Sequence, residues 1–310
     1  MKLSIILPTY NNEKTIEECL NSIFSQKFPK KDFEVLFIDG GSTDNTLKIA
    51  RSFPVKILNN IKRNEEAARI IGIKQAKGEI ICFVDADNVV IDQDWLRKMI
   101  KPFEDKDIYF ADTLFYSFRG KDPMKVRYQA LIGGDDPLAT YFGLYSRWCY
   151  FKDDWTDFPY ESEKKLGYIK VRLNDLNLVP AMGSNGFFVR KNVLRKFVKN
   201  SFIHSDIIYD MVNKGYNCFA KVNTSIVHNQ PTFFKNKIRR IQRRKEGDVK
   251  ITYNYGITNW KIVKLLIRSL LVIPVIYDVI KGFTKKPDSA WLFHFPALYG
   301  LLAIHIYYRR

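Results

Sequence analysis

The chain has 310 residues, 46% of them apolar, which allows one large domain or two small ones and excludes a disordered or collagen-like chain. Its net charge of +17 predicts an acidic partner: nucleotide phosphates, anionic lipid or nucleic acid. Cys19, Cys82, Cys149 and Cys218 are scattered without a CxxC pair, which predicts reduced, structural thiols and a cytosolic compartment.

The N-terminus enters a short apolar strand, Leu3 to Leu7, that Pro8 ends, so no signal peptide is expected. Thr15 to Glu18 resembles a capping box, and Ile16, Leu20, Ile23 and Phe24 then repeat at helical spacing. A second strand, Phe33 to Ile38, runs into the turn-rich Asp39-Gly40-Gly41-Ser42-Thr43-Asp44. A helix to about Ser52, a strand from Val55 to Leu58 and a helix from Asn64 to Ala76 follow. The next strand, Glu79 to Val84, ends in Asp85-Ala86-Asp87. Strands alternating with helices over the first hundred residues imply βαβ units and a mostly parallel sheet.

From about Asp107 the regularity weakens, and the aromatic-rich stretch between Tyr109 and Tyr168 reads as strands plus long substrate loops. Helices are expected around Asn192 to Lys199 and from Ser205 to Asn213, then strands from Asn217 to Ala220 and from Thr224 to His228. Lys235 to Lys245 is strongly basic, and Trp260 to Tyr308 is strongly apolar. Within it, the stretch Ile262 to Ile280, carrying Lys264, Arg268, Asp278 and Pro274, reads as an interfacial helix with snorkelling cations. Ser289 to Tyr308 has no formal charge and is about long enough to span a bilayer. A buried helical pair or a dimer contact is the competing reading of this region.

Asp85 and Asp87 carry the chemistry that the residues suggest unaided. Carboxylates are costly to bury unless paired or bound to a metal, and the carboxyl ends of α/β strands are where open sheets place ligands. Hard oxygen donors suit Mg²⁺ or Mn²⁺ bridged to a phosphate.

Several motifs stand in a telling order: Ser4 to Glu13 (Ser-Ile-Ile-Leu-Pro-Thr-Tyr-Asn-Asn-Glu), Phe37 to Asp44, Ala68-Arg69 before Gly72, and Gly78 to Asp87. Gly183-Ser184-Asn185-Gly186, Ser205-Asp206 and His228 complete the series. With these, residues 1 to 230 resemble a family 2 glycosyltransferase of the GT-A type. The resemblance implies an α/β fold, a Rossmann-like mixed sheet flanked by helices, here with a C-terminal helical membrane-associating region. It implies a GT-A domain over 1–232, with a nucleotide-binding half (1–106) and an acceptor half (107–232). A basic linker or lid (233–259) and an apolar membrane-associated segment (260–310) would follow.

The implied activity is inverting, metal-dependent transfer from a UDP- or GDP-sugar, and the apolar tail plus basic segment, which would hold the site near a lipid, points to a lipid-linked or glycan acceptor. That places the chain in cell-envelope glycan synthesis at the cytoplasmic face of the membrane, with no nucleic-acid partner expected. Pro8, Thr9, Tyr10, Asn11, Glu13, Asp39, Ser42, Arg69, Asp85 and Ala86 would hold the nucleotide, with Asp39 accepting from the base. Asp85, Asp87 and His228 would face a Mg²⁺ or Mn²⁺ ion. Gly183, Ser184 and Asn185 would line the sugar and acceptor pocket, and Asp206 would be the general base. Other roles stay open: Asp39 as a loop cap, Arg69 as an ordinary salt bridge, and Asp206 as compensation for the helix N-terminus. Ser205 stands where the family usually has glutamate, and Lys62 to Glu66 replaces a usual Asn-x-Gly turn.

Two rival classes share single features. A haloacid-dehalogenase-like phosphatase uses Asp-x-Asp after an apolar strand, with Asp85 as nucleophile and Asp135-Asp136 as a later acidic motif, but leaves the Pro8 to Glu13 and Asp39 to Asp44 motifs unexplained. A non-enzymatic membrane or nucleic-acid adaptor would use the basic run, which lacks interleaved stacking aromatics.

Overall fold

The computed structural model describes residues 1–175, 178–198, 202–230, 233–245 and 257–309. In chain order the elements are β1 (Leu3–Thr9), α1 (Ile16–Phe24), β2 (Phe33–Asp39), α2 (Thr46–Ala50), β3 (Lys56–Asn59), α3 (Glu65–Gln75), β4 (Ile80–Phe83), β5 (Asn88–Val89) and α4 (Trp95–Ile100). There follow β6 (Phe110–Ser117), α5 (Met124–Leu131), α6 (Pro137–Tyr141), β7 (Tyr160–Lys165), β8 (Tyr168–Leu173), β9 (Phe187–Arg190), α7 (Lys191–Leu194), α8 (His204–Asn213) and β10 (Cys218–His228). The C-terminal region holds α9 (Phe233–Lys245), α10 (Asn259–Leu271), α11 (Ile273–Lys285) and α12 (His294–Arg309). The chain divides into two compact units: unit 1 is 1–114, 159–176 and 182–229, and unit 2 is 115–158, 177–181 and 230–310.

Unit 1 is built on the sheet, whose strand order is β3-β2-β1-β4-β9-β6-β10-β8-β7, with β5 beside β10. The β3-β2-β1-β4 half is parallel, as the alternation of strands and helices predicts. From β9 onward the pairing turns antiparallel, which makes the sheet mixed. β1, β2 and β4 are buried nearly throughout, because helices cover parallel strands and leave little room for polar alternation.

Four local expectations are corrected. Thr15 is the N-cap of α1, but its side chain makes no capping bond; its hydroxyl instead meets the Asn12 carbonyl at 3.4 Å. The two strands expected around 217–228 are one, β10, because Lys221 does not interrupt it. Lys221 and Asp112 are both without exposed surface and pair at 3.0 Å, so the charge that suggested a break is neutralised inside the sheet. The helix expected at 192–199 is the short α7, and residue 199 lies outside the described residues. The stretch read as loops between Tyr109 and Tyr168 also carries α5 and α6.

Unit 2 has its own core, in which Tyr128, Leu131, Ile132, Trp291, Leu298 and Leu301 are buried together. The interfacial helix read over 262–280 is two helices, α10 and α11, broken at Val272. Pro274 explains the break: its ring clashes with the carbonyl four residues back and it has no N–H to donate. Gly282 lets α11 lie flat on Trp291, since a Cβ there would stand 2.4 Å from the indole. Ser289–Tyr308 is long and apolar enough to cross a bilayer by length and composition alone, and 33% of that stretch is buried inside the protein.

His294, at its head, has no exposed surface. Its Nδ1 meets the Tyr128 hydroxyl at 2.8 Å and its Nε2 the Tyr141 hydroxyl at 2.9 Å, while Tyr141 donates to Asp278 at 2.7 Å. Burial pushes the imidazole down to about 4, Asp278 resisting and Arg268 assisting. The basic run is helix α9, whose start is packed: Phe233 is in the core and Lys237 pairs with Asp136 at 3.3 Å. Residues 246–256 of the expected basic linker lie outside the described residues.

Candidate active site

The carboxyl ends of β1 and β2 carry two loops that hold each other. Gly41 turns at a φ of +81°, and the Asp39 carboxylate accepts the backbone N–H groups of Gly41 at 2.8 Å and Ser42 at 3.0 Å, and the Ser42 hydroxyl at 2.6 Å. Asp39 is therefore the cap of its own loop, 5% exposed, with one of about four acceptor positions left by these three donors. Asn11, at a φ of +51°, donates its N–H to Ser42 Oγ at 3.0 Å and accepts from Thr43 N at 2.9 Å. Glu13 accepts from both nitrogens of Asn45 at 3.1 Å. Pro8 and Thr9 are the last residues of β1, Thr9 being buried, and Tyr10 is 47% exposed above them. Of the residues expected to hold a nucleotide, Asn11, Asp39 and Ser42 thus form one hydrogen-bonded shelf, with Glu13 tied to Asn45 of the same loop pair.

The end of β4 is a second cluster. Asp85 N donates to Asn88 Oδ1 at 3.0 Å, which folds Asp85-Ala86-Asp87-Asn88 into a tight turn with Ala86 buried. Asn88, fully buried, also donates from Nδ2 to Asn185 Oδ1 at 2.9 Å and, at 3.4 Å, to Asp87 Oδ1. This ties the carboxylate turn to the Gly183-Ser184-Asn185 loop, whose Gly186 N–H reaches the Phe83 carbonyl at 2.7 Å. Asn229 N donates to the Asp87 carbonyl at 2.9 Å, and His228 Nε2 lies 3.6 Å from Asp87 Oδ2. Sequence reading passed over Asn88, although Asp-x-x-Asn at the end of a strand is a turn signal.

Arg69 joins this cluster to a third element. Its side chain is 2% exposed, with the guanidinium 5.6 Å from the ring centres of both Phe83 and Phe202. One nitrogen donates to Asp85 Oδ1 at 3.1 Å and also pairs with Glu65; another contacts His204 Nδ1 at 3.0 Å. A guanidinium can only donate, so His204 Nδ1 accepts and Nε2 carries the proton. His204 opens α8, and Asp206 follows in its first turn, half-buried. The helix bearing the expected base therefore starts beside Asp85 at the end of β4, through a histidine that sequence reading did not single out. Gly183 packs on that histidine, where a Cβ would stand 2.8 Å from His204 Cβ.

The electrostatics distinguish the two aspartates. A quarter of the Asp85 side chain remains accessible, yet burial pushes its carboxyl up to about 6, opposed chiefly by Arg69 and raised further by Glu65 and Asp87. Asp85 Oδ1 is held in an ion pair by Arg69, which fixes the carboxylate at the end of β4. Among the described residues no three His, Cys, Asp or Glu side chains gather as a ready-made metal set. Magnesium-like ions need only one or two carboxylates when substrate phosphates supply the rest. Asp87 Oδ2 and His228 Nε2 stand 3.6 Å apart, wider than the ~3 Å edge of an octahedron with ligands at ~2.1 Å, so the two would have to draw together to share such an ion.

Comparison with known proteins bears on the family and the fold. The profile of "Glycosyl transferase family 2" matches residues 4–196. The poly(ribitol-phosphate) beta-N-acetylglucosaminyltransferase TarS of Staphylococcus aureus is 29% identical over 231 residues, covering 68% of this chain and 39% of that protein. A dolichyl N-acetyl-alpha-D-glucosaminyl phosphate 3-beta-D-2,3-diacetamido-2,3-dideoxy-beta-D-glucuronosyltransferase of Methanococcus voltae is 37% identical over 109 residues, 33% of this chain and 34% of that one. The chain thus spans less than half the length of either relative. Among solved structures, the mannosyltransferase PcManGT of Pyrobaculum calidifontis, in complex with GDP-Man and Mn²⁺, shares the fold with a TM-score of 0.55 at 16% identity, covering 98% of this chain and 86% of that one. The chain belongs to glycosyl transferase family 2, and its fold is the mixed α/β sheet with flanking helices of that class of transferase.

Proposed function

We propose that the chain is an inverting glycosyltransferase that moves a sugar from a UDP- or GDP-sugar to a lipid-linked or glycan acceptor, at the cytoplasmic face of the cell membrane. The observation that carries this reading is the Asp85–Arg69–His204 link, which joins the carboxylate turn to the start of the helix bearing Asp206. The shelf of Asn11, Asp39 and Ser42 would take the nucleoside, with the remaining acceptor capacity of Asp39 turned to a ring N–H of uracil or guanine. Asp87 and His228 would hold Mg²⁺ or Mn²⁺. When bound, that ion neutralises the charge that builds on the diphosphate as the sugar leaves.

Asp85 would act through Arg69, which keeps its carboxylate charged and fixed beside Asp87. Arg69 is buried, so it serves as a positioning residue for Asp85 and α8. Asp206 would take the proton of the acceptor hydroxyl as that oxygen bonds to the anomeric carbon, while the bond to the diphosphate oxygen breaks on the opposite face. Attack from that face inverts the anomeric centre. Gly183, Ser184 and Asn185 would border the sugar. The names of the relatives support polymeric or lipid-linked acceptors, and the apolar C-terminal region supports a membrane surface as partner.

The direct test is a thermal-shift screen of UDP- and GDP-sugars with and without Mn²⁺. The expected result is one nucleotide class raising the midpoint in the presence of the ion, since ligand binding stabilises the folded state by about 2.7 kcal/mol at a hundred times Kd. No shift with any nucleotide sugar would overturn the reading.

A further inference from the structure

Unit 2 wears apolar side chains on its outside. Twelve of the 22 exposed large apolar residues among the described residues fall between Trp260 and Phe283. On α10 they are Trp260, Val263, Leu266, Ile267, Leu270 and Leu271, and at about 100° per residue they make one stripe. On α11 the stripe is Ile273, Ile276, Tyr277, Ile280 and Phe283. The opposite faces are already used: Leu265 and Ser269 of α10, and Val275, Asp278 and Gly282 of α11, are buried. Each helix therefore has one side seated in unit 2 and an apolar side turned outward.

The corner between the helices is the most exposed part, with Leu270 at 82% and Ile273 at 75%. Between them Val272 has a φ of +58°, a conformation costly for a branched side chain. A glycine would turn the chain there without strain. Instead the corner carries an apolar side chain that is 41% exposed.

The charges beside the stripes have one sign. Lys264, Lys281 and Lys286 flank them, and the sole acidic residue between 259 and 286, Asp278, is buried against Arg268 at 2.6 Å. A second copy docking by this face onto itself would bring like charges together. Anionic lipid headgroups complement them, with lysine stems lying along the apolar stripe and ammonium groups at the surface. Trp260 and Tyr277 add amphipathic rings of the kind that settle at the boundary between headgroups and hydrocarbon.

We propose that α10 and α11 form a wedge, with Val272 at its tip, that inserts into one leaflet of an anionic membrane, leaving α12 as a core helix of unit 2. This rests on the reading above that unit 2 meets a membrane, and names the face that does so.

The test uses the whole chain and vesicles of phosphatidylcholine, alone or mixed with phosphatidylglycerol, in sedimentation assays. The protein should partition onto the mixed vesicles and more weakly onto the neutral ones. Leu270→Ser with Ile273→Ser should weaken partition at least about a hundredfold. Lys264→Gln with Lys281→Gln should weaken it about thirtyfold on anionic vesicles only. Both variants alter exposed side chains, so their thermal midpoints without lipid and their response to nucleotide sugar with Mn²⁺ should match the parent's. A parent that ignores both vesicle types, or an apolar double variant that binds as the parent does, overturns the wedge. So does an apolar variant that only converts a dimer to a monomer, which would make the face a contact between copies. Loss of the nucleotide-sugar response in the parent would instead count against the transferase reading and leave the vesicle result intact.

Discussion

The two units distribute polarity in opposite ways. Unit 1 keeps apolar strands inside and gathers carboxylates, amides and an imidazole at the strand ends, each held by a neighbour: Asp39 by its loop, Asp85 by Arg69, Asn88 by Asn185. Unit 2 buries a chain of polar groups, Tyr128 to His294 to Tyr141 to Asp278, and turns leucine and isoleucine outward. The first arrangement suits a site for a charged, water-soluble ligand. The second suits a medium in which apolar groups are the favourable surface. The contrast is what the proposed division of labour, chemistry in unit 1 and membrane contact in unit 2, rests on.

Substitutions can break that division. The largest effect is expected at the carboxylates of unit 1. Asp87→Ala should remove ion-dependent nucleotide-sugar binding and lower transfer about a thousandfold, whereas Asp206→Asn should leave donor binding near normal and lower transfer about 10²- to 10⁴-fold. Paired calorimetric titrations and turnover assays would read the difference, and full turnover in Asp206→Asn would show that the base lies elsewhere.

Next comes Arg69→Met, which strands a buried carboxylate. Breaking such a pair costs about 3 kcal/mol of stability. If Arg69 positions Asp85 and α8, turnover should fall in parallel with weaker donor binding; a lowered melting temperature with unchanged kinetics would make the pair structural only.

The smallest effect belongs to unit 2. His294 ordinarily titrates near 6.5 but is pushed down to about 4 in the fold. Between those values the unfolded chain binds a proton that the folded chain refuses, so acid favours unfolding. The His294 contribution to stability should fall as pH drops from about 6.5 toward 4, by up to about 3 kcal/mol, while Asp85, raised to about 6, acts in the opposite sense below that pH. His294→Gln should flatten this acid limb relative to the parent in melting curves, and an unchanged slope would remove His294 as its source.

Much of unit 1 was legible in the sequence, for a physical reason. Buried parallel strands read as continuous apolar runs, and Asp39 to Asp44 and Asp85 to Asn88 are turn chemistry at strand ends, which local pattern displays. Arg69 and the Asp206 helix were visible as residues but not as neighbours, because His204, 135 positions beyond Arg69, joins them only in the fold. Lys221 misled because its partner, Asp112, lies on another strand. Unit 2 was harder to read, because its apolar C-terminal stretch runs on from one helix to the next and its earlier helices sit in an aromatic-rich stretch. Only Pro274 hinted at the boundary between α10 and α11, and α5 and α6 are short helices among aromatic residues.

The Lys221–Asp112 pair has a consequence beyond neutralisation. Shifting β10 by a single residue would swing every one of its side chains to the other side of the sheet and leave two unmatched charges in the interior, at a cost of about 3–5 kcal/mol. The pair thus acts as a registration pin. Seven residues along the same strand, it keeps His228 opposite Asn88 and alongside Asp87, so the alignment of an imidazole with its carboxylate is guaranteed by a lysine that meets neither.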